Sequence, residues 1–266
     1  MKSVTAMLGM LFLTGCNSHP VEREKTPHPA LLKEFNQQVA AVHEQAGRGD
    51  VLSQQRSGAW LFSAGKDSLA EPLLRAAAEK HQAEAQFLLG RLLLKQQPAE
   101  GRRWLEASAE QGNTSAQQLL ARHYRSGLLN VHPEKAFKWL LMAAQQGDAQ
   151  AQNDVGAAYT QGAGVKKDVR QAFTWYSQSA KQGNALAQFN LAGAYQAGEG
   201  VSAQPELAFA WYSAAVNNSR DERLKRTAEK MKLRMYAEAS RQGKALKARQ
   251  LAEQILVNNS TSWKAE

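Results

Sequence analysis

The sequence predicts an all-α protein, an α-solenoid of antiparallel helix pairs with helical caps at both ends. A tryptophan recurs at intervals of 35, 36 and 36 residues, at Trp104, Trp139, Trp175 and Trp211. Self-similarity at a period of this length is typical of repeat architectures. The chain is rich in Ala, Gln and Leu, which favour helix, and poor in the β-branched runs that favour strands. Its length suits one or two ordinary domains or one elongated repeat domain, and the repeat favours the last of these.

The first 15 residues have the layout of a secretory signal peptide. Lys2 supplies a positive start, an apolar stretch runs from Val4 to Leu13, and the small residue Gly15 precedes Cys16. The apolar stretch is far shorter than the roughly 20 residues that a membrane-spanning helix needs. Because Cys16 is the only cysteine, the sequence excludes an intrachain disulfide.

The run Leu13-Thr14-Gly15-Cys16 resembles the lipobox of bacterial lipoproteins. The resemblance implies cleavage before Cys16, transfer of a diacylglycerol to its thiol, and acylation of the new amine with a fatty acid such as palmitate. Three acyl chains anchor a protein well beyond the marginal binding that one chain provides. Asn17, not Asp, follows the cysteine. In Gram-negative lipoproteins this implies the outer membrane, and we expect the chain to face the periplasm.

Two consecutive stretches, 151–183 and 187–219, show the repeat unit most clearly. The first reads AQNDVGAAYTQGAGVKKDVRQAFTWYSQSAKQG. Ala151, Val155 and Tyr159 fall on one face of a helix, and a glycine-containing loop follows. A second helical stretch ends at Gly183, at the position just past a helix where a left-handed backbone favours glycine. Each unit therefore predicts two helices joined by a loop.

This pattern resembles the Sel1-like repeat family, a relative of tetratricopeptide repeats with a longer loop between the two helices. The resemblance covers about 50–220 and is most specific over 113–216. The first units deviate from the pattern, since His81 stands where glycine is expected and Leu93 where tyrosine is expected. The unit at 85–112 also lacks about five loop residues relative to the later units.

The chain is thus expected to have five regions. They are a signal peptide at 1–15, the lipidated Cys16 with a flexible tether at 16–29, an N-terminal cap helix at 30–48, a solenoid of about five units at 49–219, and a basic C-terminal helical cap with a tail at 220–266. The tether holds three prolines and could reach roughly 40 Å.

Residues 220–250 hold eleven Lys and Arg against four Asp and Glu. An acidic protein, anionic lipid headgroups or plain solvation of the cap would each account for this charge.

The sequence predicts no catalytic, cofactor or metal site. The six histidines are scattered, and none lies at a metal-ligand spacing from another. No Gly-x-Ser-x-Gly nucleophile elbow occurs. We therefore expect neither an enzyme nor a small-molecule substrate. Nucleic acid is not an expected partner either, because the lipobox implies a location outside the cytoplasm and no reader motif is present.

Binding is instead expected on the concave side, which the first helices of the units line in such solenoids. By analogy with tetratricopeptide repeats, the predicted partner-binding residues lie beside the structural ones: Phe87, Arg91, Gln118, Arg122, Arg125, Asn153, Thr160, Phe189 and Gln196. Arg91 and Arg122 occupy the same repeat position, and Arg125 shares a helix face with Arg122. The sequence predicts a small basic patch there, suited to carboxylate or phosphate groups.

The function expected from these features is a lipid-anchored periplasmic scaffold that binds an envelope protein without catalysis. One alternative is an immunity protein, because Sel1-like lipoproteins are found beside phospholipase effectors of type VI secretion systems, which they neutralise in the periplasm. Another is a surface-exposed factor that interacts with a host. The paired cysteines of Sel1-like proteins linked to β-lactam binding are absent, which argues against that activity.

Overall fold

The computed structural model describes residues 37, 41, 49–127 and 131–262, with side chains through residue 258. The predicted signal peptide, Cys16, the tether, most of the predicted cap helix and residues 263–266 of the tail therefore lie outside the described residues. Gln37 and Ala41 are helical and belong to a separate unit, Met1–Val42. All described residues from 49 onward belong to one compact unit. Among the described helices, none combines the length and the apolar character that crossing a membrane requires.

The described part of the chain is helical throughout, which confirms the predicted all-α solenoid. Five helix pairs are followed by a C-terminal pair, and successive helices pack against one another across short loops. The helices are α1 (Val51–Ser63), α2 (Asp67–Glu79), α3 (Ala83–Leu93), α4 (Pro98–Glu110), α5 (Thr114–Ser126), α6 (Pro133–Gln145), α7 (Ala149–Gln161), α8 (Val169–Lys181), α9 (Ala185–Ala197), α10 (Pro205–Asn218), α11 (Glu222–Arg241) and α12 (Ala245–Ser262).

Four of the first helices begin with the same cap. The side-chain oxygen of an Asp or Asn accepts a hydrogen bond of 2.6 to 2.9 Å from the backbone N–H three residues later, at Asp50, Asn113, Asp148 and Asn184. Such a cap satisfies one of the backbone donors that a helix start leaves free. Three first helices end at a glycine in the left-handed region, at Gly127, Gly162 and Gly198. The helix limits therefore follow from residues that recur with the repeat.

The core between the helices is built from small alanine side chains and aromatic rings. Ala116, Ala151 and Ala187 are at most 1% exposed and allow the helices to approach closely. A phenylalanine of one second helix meets a tyrosine of the next first helix edge to face, with ring centroids 5.4 Å apart for Phe137–Tyr159 and 5.3 Å apart for Phe173–Tyr195. These aromatic pairs, 36 residues apart, carry the apolar packing from one unit to the next.

A ladder of buried glutamines ties each unit to its neighbour. Each donates a hydrogen bond of 2.9 to 3.1 Å to a backbone carbonyl eight residues earlier, in the preceding second helix: Gln86, Gln117, Gln152 and Gln188. The amide oxygen of each accepts from an amide at the end of the following helix: Gln111, Gln146, Gln182 and Asn218. These bonds satisfy polar groups that burial would otherwise leave unpaired, so the glutamines are structural residues.

The loops inside two units pack on the preceding unit at glycines with left-handed backbones. A Cβ at Gly164 would lie 2.1 Å from the carbonyl oxygen of Pro133, and one at Gly200 would lie 2.3 Å from that of Val169. Pro133 and Val169 begin the second helices of the preceding units. Only glycine fits there, and the contact sets the distance between neighbouring units.

The C-terminal pair packs on α10 through apolar and charged contacts. Phe209 of α10 meets Tyr236 of α11 with ring centroids 5.2 Å apart. The carboxylate of Glu206, on α10, is only 2% exposed and contacts Lys244 Nζ at 3.4 Å and Lys247 Nζ at 3.0 Å. The end of the solenoid is therefore covered by α11 and α12, with a buried carboxylate joined to two lysines at the start of α12.

Candidate protein-binding site

The first helices of successive units lie side by side and form one continuous row. Polar side chains join neighbouring members of this row, as in Arg125–Asp154 between α5 and α7 and Asn190–Asn153 between α9 and α7. In a solenoid of stacked helix pairs, the first helices form the concave, ligand-binding side. The row of first helices is therefore where a binding site is expected.

A groove with a volume of about 520 Å³ lies in this row between α5 and α7. It is lined by Gln118, Arg122, Arg125, Ser126, Leu140, Gln150, Ala151 and Asp154. Leu140 comes from α6, and the other side chains come from the two first helices. The structure thus brings together three of the predicted partner-binding residues, Gln118, Arg122 and Arg125, in one concavity.

The two arginines of the groove differ in their surroundings. Arg125 lies 3.3 Å from the carboxylate of Asp154, which Gln150 and Asn153 also contact through their amide groups at 3.0 and 3.2 Å. Arg122 is exposed and has no carboxylate partner within the described residues. Burial, followed by the nearby Arg122, lowers the pKa of His123, which favours the neutral form of its ring. The groove therefore carries one positive charge in excess, centred on Arg122.

Arg91 lies outside this groove, in an aromatic cluster further toward the N-terminus. Its guanidinium carbon lies 5.2 Å from the ring centroid of Phe62 and 5.3 Å from that of Phe87. Cation–π contacts of this geometry orient an arginine without neutralising its charge. The predicted basic patch is thus divided between two places, with Arg91 and Phe87 in one and Arg122 and Arg125 in the other.

The remaining predicted residues contact other parts of the fold. Asn153 is only 2% exposed, and its amide oxygen accepts from Asn190 at 2.9 Å. Thr160 donates to the carbonyl of Gly156, and Gln196 accepts from the Tyr212 hydroxyl at 3.0 Å. Phe189 packs edge to face on Tyr212. Asn153 is therefore not accessible to a partner here, and these residues serve the packing between helices.

Some residues that contact the predicted ones or lie beside them were not themselves predicted. Phe62 occupies the repeat position of Arg125, since Leu61 stands at the position of Tyr124. Extending the repeat pattern one residue further into the first, degenerate unit would have found it. Asp154 and Gln150 were missed because the repeat pattern does not show which side chains face each other across neighbouring first helices. The signal for Asp154 was its negative charge on the first helix next to the one that carries two arginines.

The groove presents hydrogen-bonding amides and an exposed guanidinium. Within the described ranges, no group of three or more His, Cys, Asp or Glu residues is placed to hold a metal ion. An unpaired arginine beside amide groups can bind a carboxylate or a phosphate through charge-assisted hydrogen bonds. The arrangement therefore fits recognition of an anionic group on a partner.

Comparison with known families finds a match to the Sel1 repeat at 83–113, 114–148, 149–184 and 185–219. The four matches are contiguous and cover more than half of the 266 residues. They correspond to the helix pairs from α3 to α10, while α1, α2, α11 and α12 lie outside them. No curated protein matches the chain.

Solved structures of similar fold include a protective antigen present in uropathogenic Escherichia coli strains. It is 26% identical with a TM-score of 0.64, over 87% of this chain and 52% of that one. This chain thus spans about half the length of the antigen. A Sel1 repeat protein from Oxalobacter formigenes is 27% identical with a TM-score of 0.61, over 72% of this chain and 83% of that one.

An immunity protein from Pseudomonas aeruginosa is more distant. It is 20% identical with a TM-score of 0.37, over 81% of this chain and 77% of that one, and likeness at this level carries no inference about function. The family of this chain is therefore assigned from the four contiguous Sel1 repeat matches. This chain belongs to the Sel1 repeat family, and its solenoid is a protein-interaction scaffold.

Proposed function

We propose that this protein is a lipid-anchored scaffold of the bacterial cell envelope that binds a protein partner in the α5–α7 groove. The observation that carries the proposal is Arg122, an exposed arginine without a carboxylate partner in the described structure, in a concavity of about 520 Å³. An exposed guanidinium without an ion-pair partner favours binding of an anionic group on the partner protein.

The rest of the groove supports binding of a polypeptide. Gln118 supplies an amide group that can pair with a partner's backbone, and Leu140 supplies an apolar floor. The ion pair of Arg125 with Asp154 joins the two walls of the groove and reduces its net charge. The groove therefore selects a single anionic group within a polar segment over a densely acidic surface.

The anchoring part of the proposal comes from the lipobox-like run that ends at Cys16. Lipidation there would hold the scaffold at the membrane surface, and Asn17 favours the periplasmic side of the outer membrane. In this location the partner would be an envelope protein or a protein delivered into the periplasm. If the partner is a protein delivered into the periplasm, the scaffold would act as an immunity protein against a secreted effector.

The test is capture of partners from envelope extract by the tagged mature chain, residues 17–266, with mass spectrometry of the bound proteins. Arg122→Gln removes the unpaired charge without breaking a hydrogen bond or an ion pair of the described structure. Arg103→Gln, on the exposed surface of the second helix α4, is the matched control. We expect the wild type and the control to capture the same protein. The amount captured by Arg122→Gln should be lower by about tenfold or more, because one charge-assisted hydrogen bond contributes about that factor in affinity.

Equal capture by all three forms would overturn the groove as the binding site. Capture of a secreted hydrolase would assign the protein to immunity, and capture of a resident assembly protein would assign it to a structural role. Protease treatment of intact cells separates both from the host-interaction alternative, because a periplasmic chain is protected and a surface-exposed one is cleaved.

A further inference from the structure

Helix α11 presents two opposite faces. Ala228, Met235 and Ala239 are at most 5% exposed and pack toward the core. The positions half a turn away from them are exposed along the 20 residues of the helix. This outward face belongs to the C-terminal pair, beyond the last matched repeat, and is separate from the α5–α7 groove.

Four basic residues lie in a line on this outward face, and together we call them the basic stripe: Arg223, Arg226, Lys230 and Arg234. Their spacing of three, four and four residues places them on the same side of the helix. All four are exposed, and the line is about 16 Å long at 1.5 Å per residue. The stripe is therefore a row of charges along a single rigid element.

The stripe has no carboxylate partner within the described residues. The three glutamates of α11 pair with other basic residues, in Lys225–Glu222, Lys232–Glu229 and Arg241–Glu238. The remaining lysines near this end, Lys244 and Lys247, contact Glu206. Five neighbouring basic residues are thus paired with carboxylates, whereas the four of the stripe are not paired within the described residues.

We propose that the basic stripe binds the anionic headgroups of a phospholipid surface. A row of exposed charges along a straight helix matches a flat, negatively charged surface. Leu233, 61% exposed, lies beside the stripe and could enter the interfacial region. The outward positions of α11 include no aromatic residue, whereas aromatic anchors are enriched where proteins bind proteins. The observations therefore favour a lipid surface over an acidic protein.

Lipid binding by the basic stripe requires neither the groove nor lipidation of Cys16. If both attachments exist, the stripe would hold the C-terminal end of the solenoid against the membrane that carries the anchor. An acyl anchor combined with a basic patch is a common two-part arrangement for stable membrane attachment.

The test is co-sedimentation of unlipidated residues 17–266, which contain the whole compact unit, with lipid vesicles. The vesicles are phosphatidylcholine alone or phosphatidylcholine mixed with phosphatidylglycerol. We expect binding to the anionic vesicles only, weakened by salt, since each basic residue near such a surface contributes roughly fivefold in affinity. Changing all four stripe residues to Gln is expected to weaken the binding by roughly several hundredfold, since four such contributions multiply.

The matched control changes three exposed arginines and one exposed lysine of the repeats to Gln: Arg56, Arg103, Arg170 and Lys181. It removes the same charge, and circular dichroism checks that both variants keep their helix content. The control should bind the anionic vesicles nearly as well as the wild type. The proposal is overturned if the wild type does not bind anionic vesicles, if the stripe variant binds as well as the wild type, or if the control loses as much as the stripe variant.

Discussion

At the scale of single residues, His81 stands at the helix end where later units have glycine. Its φ of 60° is the only positive value among the described non-glycine residues, and the glycines at the same repeat position, Gly112, Gly147 and Gly183, have φ of 91°, 94° and 87°. A left-handed backbone is unfavourable for a residue with a Cβ. The fold thus keeps the same turn in an early unit even where the sequence disfavours it.

Changing His81→Gly should therefore raise the free energy of unfolding by about 1 kcal/mol, because the backbone strain of a Cβ is removed. Gly147→Ala is the converse control, since a Cβ there meets no atom within 4 Å and only the backbone conformation is affected. This variant should lose about as much stability. Urea unfolding of both variants measures the two effects. A destabilised His81→Gly variant would show that the imidazole makes a compensating contact.

For single residues, the repeat pattern predicts position on a helix but not exposure. It predicted the positions of Arg122, Arg125 and Gln118, which the structure gathers in the groove. It also counted Asn153 as accessible, although a polar residue on a first helix can be buried by the polar residue of the next helix. Repeat positions fix which side of a helix a residue lies on, but its exposure depends on the neighbouring unit.

At the scale of helices, α12 is attached to the last repeat by Glu206. Burial alone would raise the pKa of this carboxyl, but its own backbone N–H, Lys247 and Lys244 together lower it below the usual 4.5. A carboxyl with a lowered folded-state pKa stabilises the fold fully above its unfolded value, and this contribution is lost as the pH falls through the folded value. The attachment of α12 should therefore weaken in acid.

Glu206→Gln should lower the free energy of unfolding by about 2 kcal/mol at pH 7, because two charge-assisted contacts are lost. The difference from the wild type should begin to shrink as the pH falls below about 4.5, where Glu206 of the unfolded chain becomes protonated. It should be lost once the pH has fallen through the lowered folded-state pKa. Glu134→Gln is the control, because Glu134 holds the same repeat position on α6 but is exposed. Urea unfolding at pH 7 and in acid measures both variants. Equal destabilisation by the two changes would contradict the account.

Helices were easier to predict than the contacts between them. The helix limits follow from caps and glycines that lie within a few residues of each other. The Glu206 contacts join residues 38 and 41 positions apart, and the glutamine ladder joins residues 25 to 30 positions apart. Such contacts depend on the distance between neighbouring units, and a pattern of residues close in sequence does not predict that distance.

At the scale of the whole molecule, the fold was predictable and the partner was not. The repeated residues build the solenoid, so they define the family, whereas the residues that differ between units define what is bound. Location depends on another part of the chain, the run that ends at Cys16.

Metabolic labelling with palmitate should label the wild-type protein in cells, because lipidation at Cys16 attaches acyl chains. Cys16→Ala should abolish the label and leave the unprocessed precursor, since the thiol that is modified before cleavage is absent. Electrophoresis with fluorography measures label and size together. Labelling of the Cys16→Ala variant would show that the acyl group is attached elsewhere.

Photocrosslinking in living cells measures whether a protein partner occupies the α5–α7 groove. A photoreactive amino acid replaces Ser126, an exposed residue that lines the groove, or Gln178, an exposed residue on the second helix α8. We predict a discrete crosslinked protein from position 126 that is missing from position 178 and is lost when Arg122→Gln is added. The account is contradicted if position 126 gives no crosslink, or if the same protein crosslinks equally from both positions.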